Sequence, residues 1–396
     1  MKLIYKILFN LLLVVISLPN LQAQDTPKKE VKRLLTDAQL QMEVTSAVNN
    51  MYNAKHHIAS VEFNALKIRY GWHPLPYFLL GLNEWWKIVP NDVVTIYDKK
   101  LIAYMDTTIY KARQLEKLDP GNEEASFFLA AAYGFKGRLL AERKGWRKAA
   151  TAGKSALKYL DIGKQKDSNN IELLFGDALY NYYSVWIPEN YPLLKPILIF
   201  FKKGDKALGL KQLRQVANNA FYTRTEAQYF LMRILATEEN EIAQALQISE
   251  YLHQTFPDNA YFHRYYARML YTSGQYVKCR RVSLSLLEKI DKGYVGYEAT
   301  GGRYAGFFLG QIYQSFNKLD DAKKYYKKAV TFSESIGATK SGYYLHSLLN
   351  IGTIERKQGN KKEAKKYYKL VKKQAKPKHA THKRAKKYLK EMRKGK

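Results

Sequence analysis

The chain of 396 residues is poor in several features on which other classes of protein depend. Its single cysteine, Cys279, excludes an internal disulfide and any metal site built from several cysteines. With 23 glycines and 11 prolines it is neither collagen-like nor proline-rich. Acidic residues are scarce, because 35 Asp and Glu face 66 Lys and Arg. Apolar residues are plentiful at 46%, which is typical of a globular protein rather than a disordered one.

Sequence motifs of catalysis are also missing. No Gly-x-Ser-x-Gly occurs, and Gly301-Gly302 lacks the strand and the Lys-Ser/Thr pair of a phosphate-binding loop. His56-His57 with Glu62 resembles a ligand set, but adjacent side chains on a helix point in different directions. His379 and His382 are three residues apart with no third ligand in sight. We therefore predict no enzymatic activity, no metal and no cofactor.

The first residues have the layout of a secretory signal. Lys2 and Lys6 precede an apolar stretch over 7–18, which is shorter than the roughly 20 residues that span a bilayer. A small residue at Ala23 ends the segment, as in a cleavable signal peptide. We predict a signal peptide over 1–23, cleavage after Ala23 and a periplasmic or secreted protein; an uncleaved anchor is the alternative. The segment resembles the signals of exported proteins from Bacteroidota-type bacteria, and the lack of a nearby cysteine argues against a lipoprotein.

Beyond residue 28, apolar residues recur at spacings of three and four, as on one face of a helix. One such stripe contains Val31, Leu34, Leu35, Ala38, Met42, Thr45, Val48, Met51 and Tyr52. Breaks are expected at Pro74, Pro90, Pro120, Pro188, Pro192, Pro196, Pro257 and Pro377. No sustained alternation with a period of two is present. The pattern predicts an all-α chain.

A pattern of small and aromatic residues repeats in the second half of the chain. One unit over 303–336 contains Leu309, Gly310, Tyr313, Ala322, Tyr326 and Ala329. The next contains Leu348, Ile351, Gly352, Ala364, Tyr368 and Val371, with Glu355 in place of the tyrosine. Upstream units contain Tyr229, Met232, Ala236, Ala245, Ser249, Leu252 and Pro257, then Tyr266, Ala267, Leu270, Cys279, Ser283 and Leu286. This spacing resembles the tetratricopeptide repeat, with weaker traces over 75–225.

The resemblance implies a right-handed superhelical α-solenoid of stacked helical hairpins. Small residues let two helix axes approach within the usual 8–10 Å, and each hairpin covers the apolar face of its neighbour. We predict a signal peptide at 1–23, degenerate hairpins over 24–225, a repeat array over 226–376 and a basic capping helix over 377–396. Cys279 takes a small-residue position in a repeat and is expected to be buried and inert.

In tetratricopeptide families, certain positions of the first helix of each repeat line a concave groove. The resemblance places there Tyr261, Arg264, Arg268, Tyr271, Tyr304, Phe307, Gln311, His346 and Arg356. Such an aromatic and cationic groove suits an extended protein or peptide segment with aromatic or acidic side chains. The Lys and Asn set of the two-carboxylate clamp is not present. The alternative is that these side chains only pack on one another.

The C-terminal tenth of the chain is strongly basic. Residues 355–396 contain 19 Lys and Arg and only three acidic residues. The candidates for binding a polyanion are Lys365, Lys366, Lys372, Lys373, Lys383, Arg384, Lys386 and Lys387. In a bacterial envelope the partner would be an anionic lipid, a lipopolysaccharide, a cell-wall polymer or an acidic protein. Nucleic acid is disfavoured by the export signal, and a solvated cap that keeps the chain soluble is the bland alternative.

One segment, 186–201, does not fit the repeat. It begins with a turn-rich aromatic stretch, Trp186–Pro192, and continues into an apolar run. Three prolines in nine residues exclude a single regular helix. The segment is either an apolar lip that docks a partner or, as we favour, a short helix that fills an irregular joint. The overall prediction is a scaffold for protein partners in the bacterial envelope, with a cationic module for an anionic surface as the alternative.

Overall fold

A computed structural model describes residues 31–167, 169–198 and 202–393. The predicted signal peptide lies outside these residues. Within them the only regular structure is helical, which confirms the all-α prediction. The seventeen long helices are α1 (Ala38–Tyr52), α2 (His56–Tyr70), α3 (Leu75–Ile88), α4 (Asp98–Leu118), α5 (Glu123–Glu142), α6 (Trp146–Lys166), α7 (Ile171–Asn190), α8 (Lys206–Asn219), α9 (Arg224–Thr237), α10 (Ile242–Thr255), α11 (Ala260–Thr272), α12 (Tyr276–Asp291), α13 (Ala299–Ser315), α14 (Leu319–Ser335), α15 (Gly342–Lys357), α16 (Lys361–Gln374) and α17 (Ala380–Arg393).

The helices form successive antiparallel hairpins. Each helix packs on the next one along the chain, and odd-numbered helices also contact each other, for example α11 with α13 and α13 with α15. The odd-numbered helices therefore form one layer and the even-numbered helices a second. This two-layer stack is the α-solenoid that the sequence predicts.

Six of the turns inside the hairpins share one backbone geometry. After α1, α5, α9, α11, α13 and α15, one residue adopts a positive φ, namely Ala54, Lys144, Asn240, Gly274, Asn317 and Gly359. The next residue donates its N–H to a carbonyl in the last turn of the helix, as Gln275 does to Leu270 at 2.9 Å. This left-handed cap turns the chain sharply and fixes the angle between the two helices of a hairpin.

Two hairpins lack this tight turn and have longer connections. The α3–α4 loop spans 89–97 and the α7–α8 loop spans 191–205. Pro188, predicted to break the chain, lies inside α7 instead. The stretch Trp186–Asn190 is therefore helical and not turn-rich. A proline is tolerated there because it removes only one hydrogen bond in the last turn. A 3-10 turn at Pro192–Leu194 and a helical turn at Lys195–Leu198 follow.

The α3–α4 loop and the end of α3 reach the middle of the chain. Trp86 in α3 donates its indole N–H to Glu226 in α9 at 2.6 Å. The same ring packs edge-on to Tyr229 in α9, with centroids 5.6 Å apart, and contacts Phe262 in α11. The carbonyl of Pro90 accepts a bond from Arg264 in α11. The first hairpins thus close against α9 and α11.

Buried glutamates fix several connections in the first half of the chain. The carboxylate of Glu172, at the start of α7, accepts the backbone N–H groups of Phe221, Tyr222 and Thr223 at 2.8–3.0 Å. Glu124, at the start of α5, accepts those of Leu34 and Leu35. In both cases an N-cap asparagine two residues earlier starts the helix. These carboxylates satisfy loop N–H groups that would otherwise be buried without a partner.

In the C-terminal hairpins the contact between helices consists of small residues against aromatic rings. A Cβ built at Gly310 in α13 would lie 2.5 Å from the ring of Tyr326 in α14. The same contact recurs between Gly352 and Tyr368 in the next hairpin, at 2.8 Å. Only glycine lets the rings lie this close, which is the physical basis of the repeat pattern.

A membrane-crossing helix was sought among the described residues, and none there combines the necessary length and apolar character.

Candidate functional site

The nine predicted groove residues lie on α11, α13 and α15, in the layer of odd-numbered helices. Tyr261 and Phe307 are buried, each with 8% of its surface exposed, and the other seven are partly buried. Tyr304 and Phe307 both contact Tyr343, at centroid distances of 4.5 and 5.0 Å. Tyr271 stacks on Phe308 at 4.6 Å. The result is a continuous aromatic surface across three neighbouring helices.

Contacts within the chain occupy both ends of this surface. Arg264 donates to the carbonyl of Pro90 at 3.0 Å, so the α3–α4 loop covers one end. Arg356 donates to the carboxylate of Glu391 in α17 at 2.9 Å and lies over the ring of Tyr388 at 4.8 Å. These two arginines therefore have structural partners. Only the middle of the predicted groove remains available to a ligand.

Two arginines in that middle part have no acidic partner. Arg268 lies over the ring of Tyr265 at 5.3 Å, and Arg303 lies over that of Tyr304 at 5.3 Å. Neither side chain donates to a carboxylate within the described residues. Burial raises the pKa of Tyr343 to about 12, and the charges of both arginines oppose that rise. Both guanidinium charges therefore limit the rise in the pKa of the same tyrosine.

Sequence reasoning missed Arg303 and Tyr343. Neither falls on the groove positions that the family resemblance supplies. A signal was present, because Arg303-Tyr304 and Tyr343 occur at the starts of successive first helices. We call the surface formed by Tyr265, Arg268, Arg303, Tyr304 and Tyr343 the inner Arg–Tyr face.

The eight predicted polyanion-binding residues are all exposed, on α16 and α17. Within the described part of the chain only Lys366 and Lys387 have a carboxylate within 4.0 Å. The opposite side of α17 is packed, since Ala385 is buried and Tyr388 contacts Tyr368 at 5.1 Å between centroids. The last helix thus covers the apolar end of the stack and presents its charges to solvent.

Residues from the described part of the α7–α8 loop line a cavity of about 1400 Å³. Helices α3, α5, α6, α7 and α9 supply the walls, and Trp186, Tyr191 and Leu194 line the side of the loop. Tyr191 is 53% exposed and Leu193 is 93% exposed. Trp186 and Leu194 are partly buried, so the described part of the 186–201 segment is partly packed against its neighbours and partly exposed. The residues at 199–201 lie outside the described part of the chain.

Two arginines lie at the less exposed end of this cavity. Arg138 in α5 and Arg233 in α9 each donate to the phenolic oxygen of Tyr229, both at 2.9 Å. Burial alone would raise the pKa of Tyr229, but the two guanidinium charges outweigh it and the pKa is lowered. Burial raises the pKa of nearby Glu226 to about 7. Sequence reasoning missed this cluster, because its members come from helices far apart in the chain.

The histidines and the cysteine have structural surroundings. His56 is bonded to Asn83, and the Nδ1–H of His382 donates to the carbonyl of Ala375. Among the described residues no three His, Cys, Asp or Glu side chains are grouped as metal ligands would be. Cys279 is buried, and burial raises the pKa of its thiol to about 11. A thiol with this pKa is a poor nucleophile.

A two-layer stack of helical hairpins defines the class as an α-helical repeat protein. The family profile of the tetratricopeptide repeat matches at 307–335 and again at 345–376. These matches coincide with the hairpins α13–α14 and α15–α16. These two hairpins are therefore tetratricopeptide repeats, as their small and aromatic residues predict.

A comparison with solved structures gives matches of low similarity. The human IFIT1 dimer with PPP-AAAA is 17% identical, with 81% of this chain and 68% of that chain covered and a TM-score of 0.40. The P58(IPK) TPR domain is 11% identical, covering 90% and 99%, with a TM-score of 0.24. Yeast Tom70 is 9% identical, covering 89% and 95%, with a TM-score of 0.25. Nothing about this chain is inferred from such low scores. No curated protein sequence matches the chain.

Proposed function

We propose that the protein is a tetratricopeptide-repeat scaffold of the bacterial envelope that binds an extended acidic segment of a partner protein along the inner Arg–Tyr face. One observation carries the proposal: Arg268 and Arg303 lie over tyrosine rings and have no carboxylate partner within the described residues. Partly buried guanidinium groups that lack an anion favour a carboxylate supplied from outside. The tyrosine faces beside them suit an apolar or aromatic side chain of the same segment.

The test is a pull-down from the source cells, followed by crosslinking to identify the partner. Arg268→Ala and Arg303→Ala are each expected to weaken capture of the partner about tenfold, because a charge-assisted bond contributes about 1.5–3 kcal/mol. Arg281→Ala on the exposed side of α12 is the matched control and is expected to change nothing. Equal capture by all three variants would exclude this face as the binding site.

Export is a separate part of the proposal and has its own measurement. The expected mature protein begins at Gln24 and is found in the periplasmic or secreted fraction. Cell fractionation with N-terminal sequencing tests both statements. A full-length protein retained in the cytoplasm contradicts them, and a membrane-bound protein that keeps residues 1–23 favours the anchor.

The second candidate is a cationic module that binds an anionic envelope surface. It is favoured by the eight exposed cations of α16 and α17, most of which have no acidic neighbour within the described residues. Deleting α17 would expose its buried contacts, so replacement of exposed lysines by glutamine is the cleaner test. Lys365, Lys372, Lys373 and Lys386 changed together are expected to abolish salt-sensitive binding to phosphatidylglycerol vesicles. Unchanged vesicle binding would exclude this candidate.

A further inference from the structure

The cavity beside the α7–α8 loop is separate from the inner Arg–Tyr face, and its chemistry differs. Its volume of about 1400 Å³ exceeds the roughly 300–1,000 Å³ of ordinary small-molecule pockets. We propose that this cavity binds an amphiphile with a long apolar chain and a single anionic head group, held at Arg138 and Arg233.

The walls of the cavity are apolar and include several residues without bulk. Aromatic rings come from all five helices of the wall, and they include Phe127, Phe175 and Phe230. On α5 and α6, Gly134 and Gly153 face open space, since a Cβ built at either would have no atom within 4 Å. The free volume therefore results from side chains that are absent on two neighbouring helices. An apolar chain of the ligand would fill that space and gain burial of its surface.

Two arginines, Arg138 and Arg233, line the cavity together with Glu226, whose pKa burial raises to about 7. Arg138 lies between the rings of Trp85 and Phe230, at 4.4 and 4.7 Å, which fixes its orientation. Neither Arg138 nor Arg233 forms an ion pair with a carboxylate in the described residues, and each uses one donor on Tyr229. A guanidinium group has five N–H donors, so several remain for a ligand. Two such groups braced by one phenol form a preorganised site for a carboxylate or phosphate.

The ligand is expected to be an acyl chain rather than a peptide. A peptide has a backbone donor and acceptor at every residue, and each would need a partner once it is removed from water. Most of the residues that line the cavity are apolar or aromatic. Besides the two arginines, its charged residues are Lys195, Lys203, Glu142, Glu172, Glu189 and Glu226. An acyl chain has no polar groups along its length and loses nothing in such a wall.

Exposed residues on α6 and in the described part of the α7–α8 loop line the cavity. Trp146, at the start of α6, is 47% exposed and lines the cavity together with Trp186. Their indole emission therefore reports on occupancy. Delipidated full-length protein would be titrated with oleate, with oleyl alcohol as the uncharged counterpart and with a monoacyl phosphate as the second anionic head group. Competition against a fluorescent polyene fatty acid gives the affinities.

We expect saturable binding of oleate that is about tenfold tighter than binding of oleyl alcohol, as one charge-assisted contact implies. A monoacyl phosphate that binds more tightly than oleate would identify a lipid phosphate as the head group, and the reverse order a free fatty acid. Equal affinity for oleate and oleyl alcohol would overturn the role of the arginines. Binding of acidic peptides at this cavity without binding of oleate would overturn the proposal altogether.

Two kinds of variant separate the site from general hydrophobic binding. Arg233→Gln is expected to make the affinities for oleate and oleyl alcohol about equal. Gly153→Phe adds a ring at a position where a Cβ has no atom within 4 Å, and it is expected to abolish binding of both. Gly342→Phe, at another glycine with no neighbouring atom within 4 Å, is the matched control outside the cavity. Oleate binding that survives Gly153→Phe unchanged would show that the cavity is not the site.

Discussion

The first and last hairpins of the chain have the same turn geometry but different chemistry between the helices. Ala54 and Lys144 adopt the same left-handed cap in the first half as Gly274 and Gly359 in the second. In the C-terminal hairpins, glycines face tyrosine rings at distances that exclude a Cβ. In the first half, Gly81 of α3 faces the side chain of Met105 in α4 just as closely, and no ring is involved. Buried carboxylates such as Glu172 also accept loop N–H groups there. A hairpin stack therefore does not require the repeat motif. The glycine–tyrosine contact of the motif is only one of the contacts that can hold two helices together.

The two regions also differ in how far their contacts reach. Contacts of the C-terminal hairpins involve neighbouring helices, as between Tyr326 and Gly310. Trp86 and the loop after it contact residues more than a hundred positions later. The first half is thus closed by long-range contacts, and the large cavity lies inside that closure. Substitutions in each region test this difference.

The largest effect is expected at Trp86, which links the first half to α9 and α11. Trp86→Ala removes a fully buried ring and the N–H donor of Glu226, so we expect a loss of about 3–5 kcal/mol in the free energy of unfolding. Hydrogen exchange is expected to rise in α9 and α11 as well as in α3. Urea unfolding and exchange mass spectrometry measure both. Trp72→Ala, at a tryptophan that is 41% exposed, is the control; increased exchange confined to α3 would contradict the closure.

The next effect concerns two neighbouring histidines, His253 and His263, whose rings lie 4.4 Å apart. Burial lowers the pKa of His253 to about 4 and that of His263 to about 3, from 6.5 in the unfolded chain. Above pH 6.5 both states are neutral. As the pH falls below 6.5 the unfolded chain binds protons first, so stability decreases, by about 3 kcal/mol for each histidine near pH 4. Urea unfolding of His263→Gln between these pH values is expected to show a smaller decrease; an unchanged slope would contradict it.

Glu226 lies at the contact between the two regions. Its effect on stability is expected to have the opposite pH dependence to that of the histidines. Burial raises its pKa to about 7, from 4.5 in the unfolded chain. Below pH 4.5 both states are protonated, and this contribution to stability is complete. As the pH rises from 4.5 to 7 the unfolded chain ionises first, and up to about 3 kcal/mol is lost. Glu226→Gln keeps the acceptor for Trp86 and is expected to remove this part of the pH dependence, measured by urea unfolding over that range.

The smallest effects come from one substitution made in both regions. Gly310→Ala would place a Cβ against the ring of Tyr326, so we expect a loss of about 1–3 kcal/mol. Gly134→Ala in α5 meets open space and improves helix propensity, so we expect a gain of up to about 1 kcal/mol. Thermal and urea unfolding of the two variants measure the difference. Equal signs would mean that the close approach of glycine to tyrosine is not what distinguishes the C-terminal hairpins.

Much of the fold was predictable, because it depends on local spacing. Apolar residues at three- and four-residue intervals predicted the helices, and small residues such as Gly310 predicted the close approach of two helices in a hairpin. Pro188 was misjudged, since a proline in the last turn of a helix costs too little to end it. The exposed position of Tyr191 was also not predicted, because composition alone does not show which apolar residues are packed against other side chains.

The functional surfaces were predictable only in part. The family resemblance indicated Arg268 and Tyr304, both on the inner Arg–Tyr face. It equally indicated Arg264 and Arg356, which already donate to the carbonyl of Pro90 and the carboxylate of Glu391. Their partners lie 174 and 35 positions away along the chain, and no local pattern records such pairings.

The amino-acid sequence by itself determined the helices, their pairing into hairpins and the cationic end of the stack, because each depends on residues within one or two repeats. Only the tertiary structure decided which arginines keep free donors, where Trp86 closes the first half and that a large apolar cavity lies beside Arg138. These features depend on how many hairpins separate two parts of the chain that come into contact. The physical reason is that small differences in angle between successive hairpins add up along the stack, and no single repeat contains their sum.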